Sequence, residues 1–356
     1  MAAVSARAIC NAARAAGYAP LACDLFGDLD LRATAAATVR IDGNLRTGLQ
    51  WVPLCAALEA LADGRSPVGL VCGTGFEDRP ALLDRLAERW PLLGNAAEAV
   101  RRVKDPDKLA RTCERLGIPH PKWTRRRGHE ADWVGKRQGG SGGVHVGTVH
   151  NGEDARYWQE RVAGEPVSAL VLAAGDSAIV LGFSTQWPDP LPDAPFRYGG
   201  AVRPAPLAPA LEAALAEAAR AVAEANRLVG LNSVDFLVGK DWHLIEVNPR
   251  PGATLDIFDD GRLFELHVAA CRGRLPARKP ALTGAAATAV VYARREVASV
   301  PDFDWPDWTA DRQLPGTSVG AGAPLCTVLA RADGAAEARR LVDERAAMVR
   351  AALGAD

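Results

Sequence analysis

Apolar and polar positions in the first hundred residues repeat one order of strand, glycine turn and helix. Residues 6–16 have the apolar spacing of a helix that ends at Gly17, and residues 19–23 form an apolar run typical of a strand. A second apolar run at 68–72 leads into Gly73-Thr74-Gly75, after which residues 81–90 show a helical pattern. This order predicts a doubly wound parallel sheet, whose ligands lie at the carboxyl ends of its strands.

Polar and glycine residues next to these predicted strands are candidates for lining such a site. Turn chemistry and helix capping explain each of them equally well when it is taken alone. The candidates are Ser5, Arg7, Asp24, Gly73, Gly75 and Glu77.

The rest of the chain alternates between helical and strand-like patterns. Residues 101–125 predict a helix and its exit, and residues 207–229 predict a long helix with leucine, alanine and valine on one face. The proline-rich segment 187–195 predicts a mobile loop. After Pro280 the patterns predict a small module of strands and a final helix, at 288–292, 325–329 and 334–353.

Acidic residues lie inside the most informative stretch, Ser233 to Gly252, which reads as two apolar strands joined by a polar turn. Side chains alternate along a strand, so Glu246 and Asn248 point the same way. An even-numbered turn, for instance Lys240-Asp241, would place Asp235 opposite Glu246. Two carboxylates and an amide oxygen suit Mg²⁺. A hairpin with solvated acids is the simpler alternative, but it explains poorly why both acids lie among valine, isoleucine, phenylalanine and leucine.

A basic residue follows this predicted metal site. Arg250 lies between two prolines just past the second strand. Its guanidinium suits a two-pronged contact with a phosphate or a carboxylate.

A glycine-rich segment lies about a hundred residues upstream. Residues 133–136 form a short apolar approach to Lys136, and Gly139, Gly140, Ser141, Gly142 and Gly143 follow. Such a loop can bring backbone N–H groups against phosphate oxygens, and the lysine adds a point charge. A flexible turn is the alternative. The Walker and dinucleotide patterns are both missing, because no Lys-Ser or Lys-Thr closes the loop and no Gly-x-Gly-x-x-Gly opens an early helix.

Composition narrows the class of protein. The chain has 356 residues, which is long enough for two or three subdomains. Its net charge of −1 predicts no binding of nucleic acid. No apolar run approaches a membrane span and no secretory signal opens the chain, which indicates a cytoplasmic protein. The seven cysteines are scattered and predict reduced thiols, and the six histidines show no paired spacing for zinc.

Together, the glycine loop and the acidic hairpin resemble the ATP-grasp superfamily, from about Arg101 to Pro251. The resemblance implies an ATP-grasp fold with ATP and Mg²⁺ (or Mn²⁺) in a cleft. It implies that Asp235, Glu246 and Asn248 hold the metal, and that Arg250 binds substrate or phosphate. Two lysines would contact the phosphates. One is Lys136, and the other is Lys104, with Lys108 in reserve.

The resemblance also implies the domains and an adenine-binding hinge. The fold class is mixed α/β (α+β), with a Rossmann-like N-terminal domain at 1–100, an ATP-grasp domain at 101–280 and a small module at 281–356. A lid subdomain would span about 125–205, with its sheet at 130–175. In the hinge, Glu160, Arg161 and Val162 would border the adenine and Glu165 would reach the ribose.

The expected activity is amide formation between a carboxylate and an amine through an acyl phosphate. The opening segment, with Tyr198 to Gly200 and Arg203, resembles a group that includes a tyramine–glutamate ligase of methanofuran synthesis. This resemblance implies a γ-glutamyl transfer onto an aromatic amine in C1-cofactor synthesis. A homodimer is also expected. The alternatives are a carboxylase-like enzyme that activates bicarbonate and an ATP-binding regulatory module without turnover.

Overall fold

The computed structural model describes residues 1–45, 47–126, 132–148 and 156–356. Residues 130, 131 and 149–155 of the predicted lid sheet lie outside the described residues.

Ten helices and fourteen strands are present in the described ranges and are named in chain order. The helices are α1 (Arg7–Ala15), α2 (Leu29–Thr34), α3 (Trp51–Ala62), α4 (Pro80–Ala87), α5 (Ala97–Lys104), α6 (Pro106–Leu116), α7 (Pro209–Ala225), α8 (Leu255–Phe258), α9 (Leu263–Cys271) and α10 (Ala335–Ala352). The strands are β1 (Leu21–Asp24), β2 (Ala37–Arg40), β3 (Trp123–Thr124), β4 (Trp133–Lys136), β5 (Val146–Thr148), β6 (Tyr157–Glu160), β7 (Glu165–Ala174), β8 (Ala178–Pro188), β9 (Tyr198–Arg203), β10 (Val229–Val238), β11 (Trp242–Asn248), β12 (Ala285–Tyr292), β13 (Thr309–Ala310) and β14 (Pro324–Ala332).

The N-terminal unit is built on parallel pairing, as predicted. Strands β1 and β2 pair in parallel. Ala2 forms parallel bridges with Cys23 and Cys72, and Leu70 forms one with Leu92. The apolar run at 68–72 therefore joins this sheet through single bridges rather than as a full strand. Helices α3 and α4 cover the sheet with buried leucines.

The helix predicted over 101–125 is two helices, so that prediction is wrong in its extent. Helix α5 ends at Lys104 and α6 begins at Pro106. The Asp105 side chain accepts hydrogen bonds from the Asp107 and Lys108 amides at the start of α6. Proline has no N–H to continue the α5 hydrogen-bond ladder and favours the first turn of a new helix. The break leaves Lys104 at the end of α5.

The centre of the molecule is an eight-stranded sheet in the order β11-β10-β7-β8-β9-β12-β14-β13, with every neighbouring pair antiparallel. One face packs on α6 and α7, and the other packs on α1, α8 and α9. Strands β12 and β14 and helix α10 enclose a further core. The strands predicted at 288–292 and 325–329 and the helix predicted at 334–353 are thereby confirmed.

A separate four-stranded sheet has the order β3-β6-β4-β5, and its strands β4 and β6 line one cleft together with β10 and β11 of the large sheet. The prediction that this lid sheet extends to residue 175 is wrong for β7, which pairs with β8 and β10 in the large sheet. The reason is burial on both faces, because Val167 to Ala173 are all buried. An apolar strand of this kind is stable only between two packed layers. The domain boundaries themselves stay a prediction.

No helix in the described part of the chain is both long and apolar enough to cross a membrane.

Candidate active site

The acidic hairpin forms as predicted, but a bulge sets its register. Val238 pairs with Trp242 across the three-residue turn Gly239 to Asp241, which is odd-numbered. Without a correction, Asp235 would face Ile245. The register shifts between Asp235 and Phe236, because Ile245 is an extra residue on β11. Asp235 therefore lies opposite Glu246. A bulge inserts one residue and re-aims the side chains beyond it. The predicted pairing is confirmed, and the even-numbered turn is wrong.

Hydrogen bonds connect the two acids and the amide, either directly or through Lys104. The Asn248 amide nitrogen donates to Asp235 Oδ2 at 2.8 Å, and the Ser168 hydroxyl donates to Asp235 Oδ1 at 2.5 Å. Asn248 Oδ1 and Glu246 Oε1 both accept from the Lys104 ammonium, at 2.8 and 2.5 Å. The structure therefore brings together four of the predicted site residues, from α5, β10 and β11.

The opposed carboxylates disfavour each other's charge. Burial and the negative charge of Glu246 raise the pKa of Asp235 to about 6. Burial alone would raise the pKa of Glu246 as well, but Lys104, His145 and Lys136 lower it to about 2. One carboxylate is thus stabilised by nearby cations, whereas the other is held next to a like charge. A bound cation would relieve that repulsion.

The donor set fits a divalent cation that prefers oxygen. Mg²⁺ is commonly held by one or two carboxylates together with substrate phosphates. Glu246 is 23% exposed on its side chain, so the pair is open to the cleft. In the described part of the chain no group of three or more His, Cys, Asp and Glu is arranged to hold a metal. Two carboxylates and an amide oxygen suit Mg²⁺ or Mn²⁺ that arrives with a phosphate ligand.

Of the two candidate lysines in the helical segment, Lys104 lies in the site. It is 7% exposed and contacts Glu246 and Asn248. Lys108 is exposed on the first turn of α6. Contact of either lysine with ATP stays a prediction.

Lys136 lies on the lid at the end of β4 and is also buried. Its ammonium donates to Gln159 Oε1 at 2.6 Å on the neighbouring strand β6. Burial lowers the pKa of Lys136 and Lys104 lowers it further, while Glu246 and Asp235 act in the opposite direction. Two lysines therefore face the acidic pair, and a phosphate chain would stabilise both positive charges.

The glycine loop from Gly139 to Gly143 contacts both sides of the cleft. A Cβ at Gly139 would lie 2.4 Å from the Glu77 carbonyl oxygen, and one at Gly143 would lie 1.7 Å from the Phe196 carbonyl oxygen. Both glycines have positive φ, at 77° and 73°. The Gly142 carbonyl accepts from the Tyr198 amide at 2.9 Å. Glycine is needed at these positions because the backbone approaches closely in conformations that other residues rarely adopt.

His145 is a site residue that the sequence analysis missed. It is 6% exposed, lines the cleft, and places its Nε2 4.0 Å from Glu246 Oε1. Burial lowers its pKa to about 4; Glu246 opposes this, Lys136 and Lys104 lower the pKa further, and a hydrogen bond to the Ser141 backbone raises it slightly. The sequence signal that could have identified it is its position shortly after the glycine loop.

Arg250 lies at the site and is paired with an acid from the N-terminal unit. Its Nε donates to Glu77 Oε1 at 2.6 Å, and Glu77 Oε2 accepts from the Gly75 and Phe76 amides at 2.7 and 3.0 Å. Burial alone would raise the pKa of Glu77, but Arg250 and Lys104 lower it. Arg250 Nη2 also donates to Asn248 Oδ1 at 3.5 Å, so the guanidinium joins Glu77 to the acidic hairpin. Glu77 and Gly75 line that cleft, as the sequence predicted.

The predicted hinge borders the other end of the cleft. Glu160, Arg161 and Val162 line it between β6 and β7. Glu165 is exposed at the start of β7, opposite Val238. Their contacts with adenine and ribose stay predictions. The cleft has a volume of about 1540 Å³ and runs from this hinge to the glycine loop and β9.

Three of the N-terminal candidates are wrong as cleft-lining residues. Arg7 is 3% exposed and its guanidinium binds Asp256 and Asp311, and Ser5 donates to Asp311. Asp24 is fully buried and accepts from the Ala6, Phe26 and Gly27 amides. Their hydrogen-bonding capacity is used inside the protein. Gly73 packs tightly, since a Cβ there would lie 2.8 Å from Ala3 and Ile9 side-chain atoms.

Part of the chain matches a known protein family. A family model described as an ATP-grasp domain matches residues 103–254. The carbamoyl phosphate synthase large chain of Myxococcus xanthus (strain DK1622) is 28% identical over an alignment of 195 positions, and the match covers 46% of this chain and 18% of the relative. The chain thus spans less than a fifth of that relative's length.

Solved structures show the same fold at low sequence identity. A biotin carboxylase from Campylobacter jejuni in a β-γ-ATP complex superposes with a TM-score of 0.71 at 16% identity, covering 94% of this chain and 86% of the other. The biotin carboxylase domain dimer of the Hydrogenobacter thermophilus 2-oxoglutarate carboxylase, solved with MgADP, ADP and bicarbonate, gives 0.72 at 12% identity, with coverages of 96% and 87%. The fold is therefore the mixed α/β ATP-grasp fold, and the predicted fold class is confirmed.

Proposed function

We propose that this chain, whose residues 103–254 form an ATP-grasp domain, is an ATP-dependent ligase that joins a carboxylate to an amine and releases ADP and phosphate. One observation carries the proposal. The opposed carboxylates Asp235 and Glu246 lie under a glycine loop together with Lys104 and Lys136, in a cleft large enough for a nucleotide and two small substrates.

The chemistry explains why such a cluster is needed. A carboxylate is a poor electrophile, because an amine that attacks it directly must expel oxide. Transfer of the terminal phosphoryl group of ATP to the carboxylate oxygen creates a good leaving group. The amine then attacks the acyl carbon, the C–O bond to phosphate breaks, and the amine loses a proton. Phosphoryl transfer depends mainly on positioning and on stabilising negative charge.

Different residues of the cleft would perform these tasks. Asp235, Glu246 and Asn248 would hold Mg²⁺, which neutralises phosphate charge when bound. Lys104 and Lys136 add positive charge along the phosphates. The loop from Gly139 to Gly143, with Ser141 at its centre, excludes water from the reactive acyl group. Arg250, held by Glu77, binds the substrate carboxylate or the transferred phosphoryl oxygens.

The amine substrate that we favour is aromatic. Phe196, Tyr198 and Tyr292 line the cleft beside the glycine loop, and the Tyr292 hydroxyl donates to the Tyr198 carbonyl at 2.8 Å. An aromatic ring would pack well against such a wall. A γ-glutamyl transfer to an aromatic amine, as in methanofuran-like C1-cofactor synthesis, fits this lining and the resemblance noted above. Assembly as a homodimer belongs to the same proposal, and light scattering tests it.

A bicarbonate-activating reaction is the second candidate. It is favoured by the names of the relatives, which are carboxylases and a carbamoyl phosphate synthase. Bicarbonate would take the place of the carboxylate beside Arg250, and the same phosphoryl transfer would activate it. An ATP-binding module without turnover is the remaining alternative.

Product analysis separates these candidates. The purified protein is incubated with ATP, Mg²⁺ and pools of carboxylates and amines, and new amides are detected by mass spectrometry. We expect ADP and not AMP, and we expect turnover to need both substrates. With a carboxylate alone, hydroxylamine should trap the acyl group as a hydroxamate, and Arg250→Ala should weaken trapping more than ATP binding.

Other results contradict the ligase. Formation of AMP and pyrophosphate excludes an acyl phosphate, because these products require attack at the α-phosphorus. Release of ADP that depends on bicarbonate supports the second candidate. Binding of ATP without trapping for any carboxylate supports a module without turnover.

A further inference from the structure

Gln159 is buried in the lid sheet, although it carries a polar side chain that the proposed reaction does not use. It lies on β6, which is an inner strand of this sheet between β3 and β4. The residue is 4% exposed and borders the cleft. A buried polar group without a hydrogen-bond partner costs roughly 1–3 kcal/mol. A glutamine at this position is therefore compatible with a stable lid only if both ends of its amide are bonded.

Both ends of the Gln159 amide have partners. The Lys136 ammonium donates to Oε1 at 2.6 Å. The amide Nε2 lies 3.4 Å from Nε2 of His120, which belongs to the segment between α6 and β3. Lys136 pairs with Tyr157 across β4 and β6. Gln159 follows two residues later on β6, so it is a diagonal neighbour of Lys136 on the same face of the sheet. The amide thus connects Lys136 to His120.

Hydrogen-bond chemistry fixes the direction of this chain. An ammonium has three donors and no acceptor, so the Gln159 oxygen must face Lys136 and the Gln159 nitrogen must face His120. An amide nitrogen only donates, and His120 Nε2 therefore accepts through its lone pair. The imidazole is then neutral, with its proton on Nδ1. Burial and the positive charge of Lys136 lower the pKa of His120 to about 4, which agrees with a neutral ring.

The segment that contains His120 is anchored to β11, the strand that carries Glu246. The carbonyl of Pro119, directly before His120, accepts from the Leu244 amide at 2.8 Å. Leu244 lies two residues before Glu246 on β11. The contact between His120 and the lid therefore ties the lid to the same strand that supplies a predicted metal ligand, and it fixes the level of Lys136 relative to that strand.

The charge of Lys136 stays available because its partner is neutral. Glu246 and Asp235 attract the ammonium, whereas burial and Lys104 lower its pKa. In the described part of the chain, the hydrogen-bond acceptor of Lys136 is the Gln159 amide oxygen and not a carboxylate. Lys104, by contrast, bonds directly to Glu246. A neutral amide holds the ammonium in place without cancelling its charge, which leaves that charge for a phosphate.

We propose that Gln159 is a positioning residue for Lys136, whose ammonium the amide, held in turn by His120, directs at the phosphates of a bound nucleotide. The proposal rests on the ATP-dependent reaction proposed above. Gln159 acts through Lys136 and does not itself touch the nucleotide. No covalent bond to Gln159 or His120 forms or breaks.

A double-mutant cycle tests whether Gln159 acts through Lys136. Isothermal titration calorimetry measures binding of the Mg²⁺ complex of the non-hydrolysable ATP analogue AMP-PNP to the full chain, to Gln159→Met, to Lys136→Met and to the double variant. Methionine keeps the approximate length of both side chains but removes their hydrogen-bonding groups. Gln313→Met is the matched control, because Gln313 is a half-buried glutamine of the C-terminal module whose amide bonds to the Pro324 carbonyl.

We expect Gln159→Met to weaken AMP-PNP binding about tenfold, which is about 1.4 kcal/mol. In the Lys136→Met background the same change should alter binding by less than about twofold, because the ammonium that the amide holds is already gone. Gln313→Met should leave binding unchanged. His120→Phe removes the acceptor at the far end of the amide and should weaken binding about threefold. It serves as the second variant if Gln159→Met does not fold.

The direction of the hydrogen-bond chain allows a measurement that needs no nucleotide. Long-range proton–nitrogen NMR correlation of the isotope-labelled full chain reports which ring nitrogen of each histidine carries a proton. The signal that is lost in His120→Phe belongs to His120. At neutral pH we expect this ring to carry its proton on Nδ1, because Nε2 accepts from Gln159.

Contrary results overturn the positioning role of Gln159 in different ways. A loss for Gln159→Met that persists in the Lys136→Met background shows that the amide contacts the nucleotide directly or only supports the lid. No loss for Gln159→Met also overturns the proposal, and so does a His120 ring with a proton on Nε2. These results leave the proposed function standing, whereas a parent chain that binds no nucleotide overturns both.

Discussion

Two of the clusters of buried charge in the described part of the chain differ in whether the protein alone satisfies them. The cleft cluster consists of Lys104, Lys136, His145, Asp235, Glu246 and Asn248. The Arg7 cluster consists of Ser5, Arg7, Asp256, Asp311 and Thr327. Each contains two carboxylates with at least one cation, and each joins segments that are distant in the sequence.

In the Arg7 cluster every charge has an opposite partner. Arg7 binds both carboxylates, and Asp311 also accepts from Ser5 at 3.2 Å and Thr327 at 2.6 Å. Burial alone would raise the pKa of Asp311, but Arg7 and these hydroxyls lower it. The network links α1 to α8 and to the C-terminal strands. It is a closed structural element that needs no ligand.

In the cleft cluster two charged groups are held in unfavourable positions. Asp235 has a raised pKa and Lys136 has a lowered one. Perturbed groups that converge in a cleft are typical of functional sites. The comparison teaches that buried charge alone does not indicate a site. The informative feature is a group whose natural partner is missing from the protein.

The largest effect is expected from Glu246→Gln, which breaks the cleft cluster. The change keeps the size of the side chain but removes the charge that pairs with Lys104. A metal ion bound at this site, and the phosphate that it contacts, would then be misplaced. We expect kcat to fall by three orders of magnitude or more, at least about 4 kcal/mol, with little change in melting temperature. Asp235→Asn should act in the same way but more mildly. Steady-state kinetics and thermal unfolding measure both, with the exposed Glu98→Gln as control. Activity within about tenfold of the parent means that Glu246 is not a metal ligand.

The second prediction concerns the Arg7 cluster, where stability and not activity should suffer. Arg7→Met leaves Asp256 and Asp311 buried beside each other without a cation. We expect the free energy of unfolding to fall by about 3 kcal/mol. Arg101→Met is the matched control, because Arg101 and Asp84 form an exposed pair, and it should change the free energy of unfolding far less than Arg7→Met does. Urea denaturation measures both. Equal losses in the two variants contradict a structural role for the cluster.

The third prediction uses acid and a fully satisfied histidine. His267 accepts from the Leu231 amide at 2.9 Å and contacts the Leu93 carbonyl at 3.1 Å, and burial lowers its pKa to about 4. Because the folded pKa lies below the ordinary 6.5, the unfolded chain binds more protons between these values. Stability is therefore lost as the pH falls through this range. Between pH 7 and pH 5, the free energy of unfolding of His267→Gln should fall by about 2 kcal/mol less than that of the parent.

Urea titrations at the two pH values measure that difference. His120 and His145, which also have pKa values lowered to about 4, remain in both proteins and cancel in the comparison. An identical pH dependence in the parent and His267→Gln contradicts the prediction.

The smallest effect separates the two candidate lysines. Lys108 is exposed on α6, so Lys108→Ala should leave the affinity for MgATP within about twofold. Lys104→Ala removes a buried charge from the cleft cluster and should weaken MgATP binding by more than tenfold, above about 1.4 kcal/mol. Titration calorimetry compares them. A larger loss for Lys108→Ala contradicts the assignment of Lys104 to the site.

Much of the candidate site could be predicted from short stretches of sequence. Two apolar strands with a polar turn indicated Asp235, Glu246 and Asn248, and a lysine before clustered glycines indicated Lys136 and its loop. These signals are local, because strand periodicity and glycine freedom act over a few residues. Together the two motifs resemble the ATP-grasp superfamily, and that resemblance implied the fold.

Other features depended on contacts between distant segments. Arg7 was a candidate for the cleft from its position near a strand, but Asp256 and Asp311 approach it from more than two hundred residues away and enclose it. His145 showed no metal-ligand spacing, and its place in the cleft depends on the loop that holds it beside Glu246. Burial and pairing of such groups depend on what packs against them.

The sequence by itself therefore determined which residue types lie on which strands and loops, since alternation, turns and helix breaks are encoded over a few neighbouring positions. Only the tertiary structure decided how they face one another. An extra residue at Ile245 turns Glu246 toward Asp235 in spite of an odd-numbered turn, and a strand apolar on both faces belongs to the large sheet and not to the lid. In both cases the outcome depends on the packing free energy of the whole sheet, which no short segment contains.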